Sequence, residues 1–130
     1  MKTKKDLINS WLDKAEKDFL TVQHESTFPD AVWESICFHC QQAVEKYLKA
    51  YLVFLDLKFP KTHEIGELIA IVEKIDKEIE SFRDEADKLT DYAIELRYPD
   101  DWFEPSQEDV TEAIKLTEQI RNYIKTIIKI

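Results

Sequence analysis

Glycine is almost absent, one in 130 residues, beside four prolines and two cysteines. Turns that need positive φ lose their usual residue, so tight hairpins, bulged strands and glycine-rich phosphate loops are disfavoured. A β-sandwich, a Rossmann unit and a P-loop enzyme are disfavoured with them. Two cysteines make no disulfide framework, and none is needed: at this length about 65 to 70% of the unfolded surface can be buried without a disulfide or a structural metal. The chain is too short for two full domains and reads as one, over 1–130. No run of 18 apolar residues is available to span a bilayer, and Met1-Lys-Thr-Lys-Lys-Asp6 leads into an amphipathic pattern rather than a signal-peptide core. The expected location is the cytoplasm, with no membrane contact.

Positive charge is scarce as well. The net charge is −9, and between Glu73 and Glu112 fifteen acids face five bases. An acidic face of this breadth repels phosphate backbones, so non-specific duplex DNA binding is not expected and any nucleic-acid contact must be local.

What is present is a helical period. Apolar residues recur at three and four throughout, and no clean period of two lasts six residues, which predicts an all-α, up-and-down antiparallel helical bundle of four to five helices. A first helix over 4 to 25 carries Leu7, Trp11, Leu12, Ala15, Phe19 and Val22. A second runs from Asp30, as N-cap, to Leu55. A third follows Thr62 as cap and bears Ile65, Leu68, Ile69, Val72 and Ile75. A fourth spans 77 to 96 through Ile79, Phe82, Ala86, Leu89 and Ala93. Ser106, with Asp109 three residues on, opens a last helix bearing Val110, Ala113, Ile114, Thr117, Ile120, Ile124 and Ile127. On the second helix the apolar residues from Trp33 to Leu55 fill an arc of about 200°, wider than one packed surface needs. Either this helix is central, or its second flank meets another subunit. Gln41 falls inside that arc and needs a hydrogen-bond partner there.

Few residues offer chemistry. Cys37 and Cys40 form a C-x-x-C, but they lie about two turns inside a helix on its apolar side and no second cysteine pair completes a zinc site, so they read as buried, reduced thiols, with no metal or other cofactor expected. Lys46, Lys49, Lys58, Lys61 and His63 form the densest basic patch outside the N-terminal tail. Helix amides near His63 add to it as an anion site; solvated lysines and a loop-capping histidine are the other reading. Arg97 stands among Tyr92, Tyr98, Asp100, Asp101, Trp102 and Phe103, open either to a phosphate or to an ion pair with Asp100 or Asp101. No nucleophile elbow, H-E-x-x-H or Walker motif occurs, and no catalytic residue is assigned.

The run Ser35-Ile-Cys-Phe-His-Cys-Gln-Gln-Ala-Val-Glu-Lys-Tyr-Leu-Lys-Ala-Tyr-Leu52, followed by Pro60, Thr62-His-Glu-Ile65 and Leu68, resembles the HEPN domain (higher eukaryote and prokaryote nucleotide-binding). Trp11, Ala15, Asp18, Phe19, Tyr92 and Arg97-Tyr-Pro-Asp100 fit the same pattern, so the resemblance covers essentially the whole chain. It implies a helical bundle, often a homodimer, and small prokaryotic members are frequently paired with a minimal nucleotidyltransferase in a toxin–antitoxin module. Many members are ribonucleases that use an Arg followed, after four to six intervening residues, by a His. Arg97 matches the Arg, but Trp102, Phe103 and Glu104 follow and the His is missing, and such residues exchange protons poorly near neutral pH.

The expected function is therefore a nucleotide-binding or partner-binding module, with Lys46, Lys49, His63 and Arg97 around one cleft between the second, third and fourth helices. The alternatives are a divergent ribonuclease toxin using Arg97 with His39 or His63, and a non-catalytic scaffold.

Overall fold

The computed structural model of the chain describes residues 1–93 and 104–129. Among them are five α-helices and no strand: α1 (Lys4–Glu25), α2 (Trp33–Phe54), α3 (Ile65–Val72), α4 (Arg83–Asp87) and α5 (Gln107–Ile128). Tight 3-10 turns, Lys77–Phe82 and Lys88–Tyr92, flank α4.

Local chemistry sets these boundaries. Ser106 accepts from the Asp109 amide and Asp109 from the Ser106 amide, the reciprocal box that the spacing predicts for α5. Thr3 and Asp6 build the same device at the start of α1. The second helix begins later than expected, at Trp33, and its N-cap is Val32, without a side-chain cap, not Asp30. A turn closed by the Ala31 amide on the Phe28 carbonyl consumes the residues between. Thr62 likewise does not cap α3: its hydroxyl accepts from the Glu64 amide and turns the chain just before Ile65. The continuous fourth helix is replaced by the broken segment 77–92, in which 3-10 turns, frequent at helix ends and as connectors, flank the short α4. Residues 94–96 of that expectation lie outside the described residues.

The scarcity of glycine is met in two ways. α2 closes with the Leu57 amide on the Leu52 carbonyl and the Asp56 amide on the Val53 carbonyl, and Asp56 takes the left-handed position at φ 59°. Aspartate is one of the few residues that tolerates that conformation. Gly66 instead sits within α3 because of a close approach: a Cβ there would lie 2.6 Å from Asp87 Oδ1.

α2 is the axis of the bundle and packs against α1, α3, α5 and the turn Lys88–Tyr92. Its wide apolar arc, including Cys37, Val44, Tyr47, Leu48 and Leu52, is thus covered within one subunit, which is the central-helix reading of the two. α1 runs antiparallel to it, since Lys4 meets Asp56 while Asp18 meets His39 and Lys46. Residues 56–64 travel back along α2, so that the His63 carbonyl accepts from Gln41 and α3 starts beside the middle of α2. Cys40 beside Thr117 and Tyr51 beside Tyr123 give α5 the same direction as α2. The buried stripe is shifted by one or two residues at some places: Ile8 is buried and Leu7 40% exposed, while Leu116 and Ile128 take the inner positions expected of Ile114 and Ile127. Trp33, counted within the arc, is exposed.

Candidate functional site

The polar edge of α2 meets two carboxylates, and between them they hold most of the cationic groups singled out by sequence. Glu45 is buried. Its Oε2 accepts from Lys49 Nζ at 3.0 Å, and its Oε1 lies 2.8 Å from His63 Nδ1 and 3.0 Å from Gln41 Nε2. Gln41, fully buried as the arc requires, is satisfied by Glu45, by the His63 carbonyl and by Gln42. Asp18, from α1, accepts from Lys46 Nζ and lies 2.9 Å from His39 Nδ1. Lys49 also passes over the Trp11 ring, 5.3 Å from its centroid.

Lys49 and His63 therefore converge on one group, whereas Lys46 turns to α1 and is held by a different one. Arg97 lies outside the described residues, as do Asp100, Asp101, Trp102 and Phe103. Two ammonium groups face two carboxylates, so the formal charges cancel before the imidazoles are counted. A phosphate entering here competes with short, partly buried ion pairs rather than meeting open positive charge. The sequence offered one of the two acids plainly: Glu45 stands four residues before Lys49, the spacing at which a helix pairs opposite charges. Asp18 had no such signal, because it comes from another helix 28 residues away.

The amides expected to form an anion site near His63 are also occupied. The Ile65 amide donates to Thr90 Oγ1 at 3.0 Å and the Gly66 amide to Asp87 Oδ1 at 2.9 Å. A carboxylate from the broken segment thus fills the α3 N-terminus, where the helix dipole favours negative charge.

Two open grooves lie nearby. One, of about 390 Å³, runs between the broken segment and α5 and carries Glu85, Asp109 and Glu112 against Lys88 and Lys115. The other, of about 610 Å³, lies between α3 and α4 and has five acids, among them Glu67 and Asp84, against Arg83 and Lys88. The charge of the second suits basic groups better than a nucleotide phosphate.

Cys37 and Cys40 are free and buried. Burial pushes both thiols up to about 12, so they stay protonated and pack as small apolar groups. Among the described residues no group of three or more His, Cys, Asp or Glu is placed to hold a metal ion, and no helix is long and apolar enough to cross a membrane.

No curated protein and no solved structure matches the chain. The HEPN domain family model matches residues 8–127, from the first buried residue of α1 to the last turn of α5. That span takes in the central helix, its polar edge and every element packed on it: the chain belongs to the HEPN domain family.

Proposed function

We propose that this HEPN module acts by binding a protein partner, as the helical half of a cytoplasmic toxin–antitoxin type pair with a minimal nucleotidyltransferase, and that it does so as a homodimer. The observation that carries the reading is the pairing of Lys46 with Asp18 and of Lys49 with Glu45, which leaves the α2 edge without the open positive charge that favours a nucleotide phosphate. The groove between α3 and α4, with five acids against two bases, supports it, since it suits basic protein side chains better than phosphates. Two unpaired, reduced thiols fit a reducing compartment.

The test is sedimentation velocity of the purified chain alone, with ATP, and with the purified product of its neighbouring reading frame. The account expects a dimeric species that forms a stoichiometric complex with a nucleotidyltransferase partner at micromolar concentration. A monomer near 15.4 kDa that ignores the protein but binds ATP would overturn it.

One observation favours a second reading, a divergent ribonuclease. His39 and His63 each have Nδ1 on a carboxylate, the arrangement that orients an imidazole for proton transfer. Cleavage of a generic RNA that disappears in both Arg97→Ala and His63→Ala would select it.

A further inference from the structure

The connection between α1 and α2, with the first residue of α2, leaves three large apolar side chains in water. Phe28 is 56% exposed, Val32 51% and Trp33 41%. Of the seven large hydrophobic residues that are exposed among the described residues, three fall within six consecutive positions, 28–33. Single exposed apolar residues are ordinary; three within six positions of one turn, Trp and Phe among them, have the composition of an interface core.

The edge is held in shape by its own hydrogen bonds. The Phe28 amide donates to the Glu25 carbonyl, the Ala31 amide to the Phe28 carbonyl, and the Val32 amide to Glu25 Oε1 at 3.0 Å. Thr27 Oγ1 closes on the His24 carbonyl at 2.7 Å, and Pro29 fixes one more φ. Little ordering cost remains for a partner to meet.

Charge selects the occupant. The rim carries Glu25, Asp30 and Glu34, and the chain has no Lys or Arg between Asp18 and Glu45. In a two-fold contact the same patch faces itself, so a second copy would set these acids against their own counterparts. The first-turn amides of α2, which no side chain caps, add donors on this edge. Glu34 in that first turn already complements their partial positive charge, so they call for a hydrogen-bond acceptor rather than for an anion.

We propose that the Phe28–Trp33 edge is a docking surface for a protein segment that presents one or two large apolar side chains flanked by Lys or Arg. This rests on the reading that the chain works through a protein partner, and it names where and by what chemistry.

The test is selection of a random 12-residue peptide library displayed on phage against the folded chain, with counter-selection on the double variant F28S/W33S. Those side chains are exposed, and unchanged circular dichroism and Tm confirm that the variant folds. Expected is enrichment of peptides that combine aromatic or aliphatic residues with Lys or Arg, bind at least about 10-fold more weakly to Trp33→Ala, as loss of an aromatic anchor gives, and weaken further with Glu34→Lys and with salt. Enrichment of acidic peptides, or of peptides indifferent to F28S/W33S, overturns this edge but leaves a protein-binding function in place. A self-association of the chain that F28S/W33S abolishes overturns the assigned occupant. No enrichment at all, together with ATP binding at Lys49 and His63, removes both readings.

Discussion

Glu45→Ala is the sharpest perturbation of the site. In the folded chain this one carboxylate serves Lys49, His63 and Gln41, and it is buried together with Lys49, whose side chain is 9% exposed. Removing it leaves an ammonium group with little water, a condition that typically costs about 3–5 kcal/mol when one partner of a buried pair is deleted. The orphaned Gln41 amide adds about 1 kcal/mol at most, because the His63 carbonyl still accepts from it. Glu45→Ala should therefore lose about 3–5 kcal/mol in urea unfolding with an unchanged m value. The double variant E45L/K49M removes both charges and keeps the volume, and it should recover most of that loss, since a buried pair replaced by apolar residues is often neutral. A loss below about 1 kcal/mol in Glu45→Ala, the level of an exposed surface pair, would refute the claim that Lys49 is committed to the interior.

Three further outcomes follow from the same structure. Burial raises the Asp76 carboxyl, but hydrogen bonds from Tyr123, Tyr51 and the Glu78 and Ile79 amides outweigh it and hold the group below the usual range. A lowered folded pKa gives stability that is present above the unfolded value, about 3.9, and is lost as pH falls through the folded one. Acid unfolding followed by circular dichroism should accordingly be shallower below pH of about 4 in Asp76→Asn than in wild type, and identical profiles would contradict the tyrosine clasp. Gly66→Ala should destabilise by about 1 kcal/mol despite a better helix propensity, because its Cβ displaces the Asp87 cap. In an Asp87→Ala background the same change should stabilise, by up to about 1 kcal/mol, and a loss in both backgrounds would show that the clash is not with Asp87. Finally, Cys37 and Cys40, raised to about 12 by burial, should not react with a thiol-specific disulfide reagent at pH of about 8 until the chain is unfolded, so prompt labelling of folded protein would show the thiols to be accessible.

The fold was largely legible because helical period and end chemistry are local. The Ser106–Asp109 box and the stripe through Val110, Ala113, Ile120 and Ile124 follow from spacing alone, and so does the need of Gln41 for a buried partner. Boundaries failed where tertiary contacts decide. Asp87 and Thr90 must reach the first amides of α3, and the segment that carries them is broken into short turns that no apolar period announces. Leu7 and Ile8 are adjacent and both apolar, so only the position of α2 settles which one is buried. The site was half legible. Residue types and positions were evident, but their charge state as a group was not, because Lys46 is neutralised by a residue of another helix. The pairing of Lys49 with Glu45 could have been read directly from their spacing.

The central claim is that the cations of the α2 edge are committed to the fold and do not serve a nucleotide. An ATP titration followed by amide proton–nitrogen correlation spectra, residue by residue, tests it most directly. The account predicts that Asp18, Glu45, Lys46, Lys49 and His63 hold their positions in the spectrum up to millimolar ATP, while the Phe28–Trp33 amides shift on addition of a basic, apolar peptide selected against that edge. Saturable shifts centred on Lys46, Lys49 and His63 at micromolar ATP would contradict it.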